Sequence, residues 1–222
     1  MRNASGEFAA AVRAALDGLA TSGEGGLAAR FTAPLVTAIV VDASEGPWLV
    51  PALAALTDAL AHVGVPRGRQ FVLVGRDSAY GSGEARARAA ALRRELLVAA
   101  VAHEPGDPAF TPGRLPDGTP LELDDELREA EAVLCVGRAF GAGGRVQGGP
   151  YLLAPGVASQ ATRRAFAALR ARGGERAALA AALAAEAALP VDLALCWNEV
   201  GRVSAARGRD AFHALAKAAG FA

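Results

Sequence analysis

Four apolar runs constrain this chain more than any other feature. They are LVTAIVVDA (35–43), QFVLVG (70–75), LVAAVAH (97–103) and AVLCVG (132–137). Each is nearly continuous in apolar character instead of alternating, which is how a strand buried on both faces of a parallel sheet reads. The segments between them carry a helical period. Residues 7–20 put Phe8, Val12, Leu16 and Leu19 on one stripe. Residues 48–63 repeat Leu49, Leu53, Leu56, Leu60 and Val63 at spacings of three and four, and Gly64 and Pro66 then end that helix. A third helix with an arginine-rich outer face is predicted over 83–96.

Beyond the third strand, a polar, proline-rich stretch (104–118) reads as a surface crossing. A short strand follows over 119–123, and DELREA reads as a helical turn. Ser159 can cap a helix running to about Arg172, and a second helix covers 175–188. VDLALCW (191–197) and GRVSAAR (201–207) predict two further strands joined at Asn198-Glu199, before a last helix from Asp210 to Ala219. Strands alternating with helices give one α/β domain over 1–222, a single doubly wound, mostly parallel, Rossmann-like sheet flanked by helices.

Composition excludes several classes. The 222 residues are 52% hydrophobic and 21% charged, so the chain is no disordered segment. Its 23 basic and 23 acidic side chains cancel, which removes the electrostatic footprint of a nucleic-acid binder. Cys135 and Cys196 both fall inside predicted strands and read as buried free thiols. The first residues lack the basic cluster and apolar run of a secretory leader, and no apolar run is long enough to span a membrane. A cytoplasmic protein with no membrane partner is expected.

In open α/β sheets ligands sit beyond the carboxyl ends of the strands, at the point where strand order reverses. That rule selects Asp42 and Ser44 after the first strand, Asp77 after the second, His103 after the third and Arg138 after the fourth. It also selects the glycine-rich loop 141–156, with Arg145, Gly148, Gly149 and Tyr151. Glycines allow close backbone approach, and arginine forks suit carboxylate or phosphate, so the loop is a candidate cradle for a small anion. Each residue also has a structural reading. Asp42 can close a turn, His103 can bond a loop carbonyl, and the loop can be plain surface.

The order of these segments resembles the amino-terminal domain of the nickel-dependent lactate racemase family. The resemblance runs through IVVDAS (39–44), AHEPGDP (102–108), DGTPLEL (117–123), EAEAVLCVGR (129–138), GGPYLLAPGVAS (148–159) and the closing segment 191–220. It implies a nickel pincer nucleotide tethered to a lysine, histidine bases, a histidine nickel ligand, and an active site shared with a second domain. Residue by residue the chain departs from that pattern. The tether position falls at or near Tyr151, and Lys217 is the only lysine. The base positions fall at Asp77 and within Gly141-Ala142-Gly143, the nickel ligand near Ala167, and the family's Thr-Arg-Pro arginine is missing from Ser44-Glu45-Gly46-Pro47.

These departures predict no catalytic residues, no metal site and no pincer cofactor. The expectation is a non-catalytic or repurposed domain that binds a small anion or a partner chain at the strand ends, with homodimerisation or a separate second-domain chain as its association. The alternative is a racemase or epimerase of a 2-hydroxy acid that uses an altered cofactor or a second subunit.

Overall fold

A computed structural model describes residues 2–21, 26–31, 33–75, 83–139, 148–198 and 201–207. The main sheet has six strands: β1 (Thr37–Asp42), β2 (Gln70–Gly75), β3 (Ala99–Ala102), β6 (Ala132–Arg138), β7 (Leu193–Trp197) and β8 (Val203–Arg207). Their order is β3-β2-β1-β6-β7-β8, parallel throughout except for β8, which runs antiparallel to β7. This is the expected mostly parallel α/β architecture. No helix among the described residues is long and apolar enough to cross a membrane.

Alternation along the strands sorts the core into two layers. Ile39, Val41, Val72, Val74, Leu134, Val136, Leu193, Leu195 and Trp197 face one side. There they meet helices α1 (Arg2–Thr21), α2 (Gly26–Arg30), α3 (Leu49–His62) and α4 (Gly83–Leu96). The predicted stripe of Phe8, Val12, Leu16 and Leu19 is buried in this layer. Ala38, Val40, Leu73, Val133 and Cys135 face the other side, under helix α5 (Gln160–Ala188) and the segment 151–158. Ser159 caps α5 by accepting from the Thr162 amide at 3.3 Å. The helix is interrupted at Gly174, whose φ of 63° breaks the helical path where two helices were expected.

Two features depart from the sequence reading, one in the sheet and one in α4. The proline-rich stretch contains a strand, β4 (Ala109–Arg114), which pairs antiparallel with β5 (Pro120–Asp124) in a separate two-stranded ribbon. Pro112 falls in the register shift between Phe110 and Gly113, so its missing N–H removes no ladder bond. The arginines of α4 are also not all outward. Arg88 reaches the carbonyls of Ala43 and Glu45, and Arg93 that of Ala100. The last predicted helix, 210–219, lies outside the described residues.

The link from α4 to β3 carries local strain. Leu97 has φ 54° and is 79% exposed. The left-handed region costs an L-residue roughly 1–2 kcal/mol, and glycine avoids that penalty. Leu97→Gly is therefore expected to stabilise the fold by about 1 kcal/mol, raising the melting temperature by roughly 2–4 °C. Calorimetry checks it, and an unchanged or lower melting temperature would show that the leucine side chain earns its place by packing.

Candidate functional site

From β1 the chain winds outward to β2 and β3, then returns to add β6 and β7 on the opposite edge of β1. Strand order therefore reverses between β1 and β6. Their carboxyl ends, Asp42 and Gly137-Arg138, border the crevice where α/β sheets take ligands. The turn after β1 is closed by Asp42, whose Oδ1 accepts from the amide and the hydroxyl of Ser44, both at 2.6 Å. That turn aims Glu45 back across the strand ends.

Glu45 is the residue the strand-end rule passed over. Its side chain is 3% exposed. Oε1 accepts the Arg138 amide at 2.8 Å, and Oε2 lies 3.3 Å from Arg138 Nε. Gly137 makes this approach feasible, since a Cβ there would lie 3.0 Å from Oε1. Arg88 holds the turn from beneath by donating to the Glu45 carbonyl at 2.8 Å and the Ala43 carbonyl at 3.2 Å. The sequence signal for Glu45 is a charged residue in the turn after β1, and it becomes meaningful only once β1 and β6 are neighbours.

Arg138 is the one predicted arginine that the structure places at the crevice. Its guanidinium is partly exposed, and its two terminal nitrogens make no hydrogen bond or ion pair among the described residues. Gly148 packs on its backbone, where a Cβ would come within 2.4 Å of the Arg138 carbonyl oxygen, so only glycine fits. Gly149 has φ 59° and opens the 3₁₀ turn Gly149–Leu152. Asp77, Arg145 and Gly141-Ala142-Gly143 lie outside the described residues.

Two further candidates sit inside the fold. Tyr151 is buried, its ring edge-on to Phe166 at 5.9 Å with the Arg170 guanidinium 6.0 Å from its centroid. His103 is also buried, away from the switch point and beyond edge strand β3. Its Nδ1 meets Asp124 Oδ2 at 2.6 Å and its Nε2 meets the Ala158 carbonyl at 3.0 Å. The ring is therefore enclosed between a carboxylate and a carbonyl, with both nitrogens engaged. The histidine thus ties β3 to the ribbon and to the segment before α5.

The cysteines have no comparable chemistry. Burial pushes the Cys135 thiol well above its usual range, and it pushes Cys196 up to about 12 despite a hydrogen bond from the Gly149 amide. A thiol held protonated is a poor nucleophile and a poor metal ligand. Among the described residues, no three His, Cys, Asp or Glu side chains cluster as a metal site.

Two outcomes follow. Replacing His103 with alanine leaves Asp124 Oδ2 buried without that partner, so urea unfolding should show a loss of about 3 kcal/mol. A loss under about 1 kcal/mol would remove His103 from the framework. Glu45 adds a pH dependence. Its burial raises the carboxyl above the value of 4.5, with Asp42 adding to the rise and Arg138 opposing it. The folded state then holds the proton more tightly, so this stabilisation is full below 4.5 and is lost as pH rises through the folded value. Wild type should lose stability relative to Glu45→Gln as pH climbs through that window. Parallel stability profiles for the two proteins would contradict this.

The sequence matches no protein-family model and no curated protein. The fold is similar to that of the lactate racemase apoprotein from Thermoanaerobacterium thermosaccharolyticum, with a TM-score of 0.69 at 14% identity over 94% of this chain and 54% of that one. A structural-genomics protein from Thermotoga maritima superposes with a TM-score of 0.56 at 15% identity, over 83% of this chain and 53% of that one. This chain spans about half the length of either structure. At these identities the likeness establishes the fold: a mostly parallel α/β sheet flanked by helices, like part of the lactate racemase apoprotein.

Proposed function

We propose that this chain is a non-catalytic, repurposed domain with a lactate racemase-like fold, and that it binds a small oxyanion in the β1/β6 crevice. The observation that carries this reading is Arg138. It stands at the reversal of strand order, anchored by Glu45 through its backbone amide, with both terminal nitrogens making no hydrogen bond or ion pair among the described residues. A guanidinium held this way presents a pre-set fork to a carboxylate or phosphate.

The residues present do not fit a pincer nucleotide. The resemblance puts the tether at or near Tyr151, where a phenol cannot form the thioamide-type link and the ring is packed in the core. Ala167, near which the resemblance puts the nickel ligand, offers no donor atom and is exposed on α5. His103 has both ring nitrogens engaged. His62 lies in the last turn of α3, at the end remote from the turn that carries Glu45. Lys217 lies outside the described residues. Chemistry through nickel is therefore not assigned to this chain.

A thermal-shift screen with lactate, other 2-hydroxy acids and nucleotides tests the proposal. A true ligand at about a hundredfold over its Kd stabilises by roughly 2.7 kcal/mol. Arg138→Ala should weaken that ligand at least about tenfold. No shift with any compound, or shifts that survive in Arg138→Ala, would remove the anion site. The competing reading is a racemase or epimerase completed by a second chain. Stoichiometric nickel with a visible cofactor band, in protein co-produced with cofactor-making enzymes, would favour it and overturn the non-catalytic part.

A further inference from the structure

Glu45 and Arg138 neutralise each other incompletely. The carboxylate is covered, whereas the arginine side chain is 31% exposed, so the counter-charge lies beneath the cation. Oε1 is satisfied by the Arg138 amide. Oε2 and Nε face each other at 3.3 Å, yet they are not aligned as donor and acceptor, and both are buried without a hydrogen bond. The pair is thus held by charge alone at its buried end and is open at its solvent end.

The groups around Glu45 leave few ways to absorb a second negative charge. Asp42, in the same turn, is acidic. From β7 comes the Cys196 thiol, which burial keeps protonated. The turn 149–152 contributes the apolar Leu152, close to Gly137 and the carboxylate. From α4, Arg88 is committed to the carbonyls of Ala43 and Glu45. An anion on the outer nitrogens of Arg138 would set two acceptor charges on one guanidinium. Two like charges sharing one guanidinium cannot both persist cheaply when one of them is buried.

We infer that Glu45 takes up a proton from solvent when an oxyanion binds Arg138, so that the site accepts its ligand as an anion together with one proton. The proton goes to Oε2, the oxygen that accepts no hydrogen bond, and Oε1 keeps the Arg138 amide. Neutral Glu45 releases the guanidinium to the ligand. Glu45 thereby sets affinity without touching the ligand, and it acts as a positioning residue. This inference rests on the anion site proposed above.

Sulfate is a suitable probe because it carries no titrating proton from about pH 5 to about pH 8. For wild type, sulfate affinity should weaken with rising pH by as much as about tenfold per unit above the Glu45 titration, the limit for one proton. Calorimetry in two buffers of unlike ionisation heat should report uptake of about one proton per sulfate bound. Glu45→Gln should bind sulfate with no pH dependence, at least as tightly as wild type at low pH, and Arg138→Ala should not bind it. PH-independent binding to wild type without proton uptake would overturn the coupling and leave the anion site standing. No sulfate binding to wild type or to Glu45→Gln would overturn the anion site and the coupling with it. The buffer comparison uses wild type alone, so it decides the matter even where Glu45→Gln does not fold.

Discussion

Strand β1 must satisfy four demands at once. Its amides and carbonyls need a partner strand on each edge, and its side chains need an apolar cover on each face. Thr37–Asp42 meets all four. β2 pairs along its full length on one edge, and β6 pairs with residues 37–40 on the other. Ile39 and Val41 are covered by the α1–α4 layer, and Ala38 and Val40 by the α5 layer. A strand this enclosed makes the chain leave and return on opposite sides of it. That return places the end of β6 beside the end of β1 and creates the crevice.

The crevice inherits its electrostatics from that geometry. Two glycines remove the Cβ atoms that would keep the strands and loops apart. Gly137 lets the Glu45 carboxylate lie against β6, and Gly148 lets the returning chain lie on the Arg138 carbonyl. A carboxylate then stands buried beside a partly exposed arginine, inside a low-dielectric wall. Charges so placed interact more strongly than surface pairs, whose contribution is small. The histidine at the end of β3 shows the contrasting solution. His103 is enclosed between two acceptors and serves the joint between the sheet and the ribbon.

The elements that were legible in the sequence are those whose burial repeats along the chain. The stripe of α1, the leucines of α3 and the apolar runs of β1, β2, β6 and β7 are all found in the core. The ribbon was not legible. Pro112 and Gly113 are breakers in isolation, and β4 is only partly buried, so it carries neither a period nor an apolar run. Arg88 was misread for a related reason. An arginine on a helix reads as solvent-facing, and nothing local reveals the Ala43 and Glu45 carbonyls that it caps. Among the candidate site residues, Asp42 and Ser44 were recognisable as a strand-end turn and Arg138 as a strand-end cation. Tyr151 was recognisable as part of the glycine-rich loop and as a departure from a motif, but its burial was not, because its packing against Phe166 joins segments from two elements.

By itself, then, the sequence determined the element order, the two-sided burial of the strands and the absence of a net charge. Each of these is a property of neighbours along the chain. Tertiary structure alone decided that β6 returns beside β1, that Glu45 is buried under Arg138, and that His103 is enclosed instead of open to the crevice. The physical reason is that a charge's role depends on its distance to partners and on its cover from water. Glu45 and Arg138 are 93 residues apart in sequence and within hydrogen-bonding reach in space. No periodicity connects such residues; the order of strands in the sheet does.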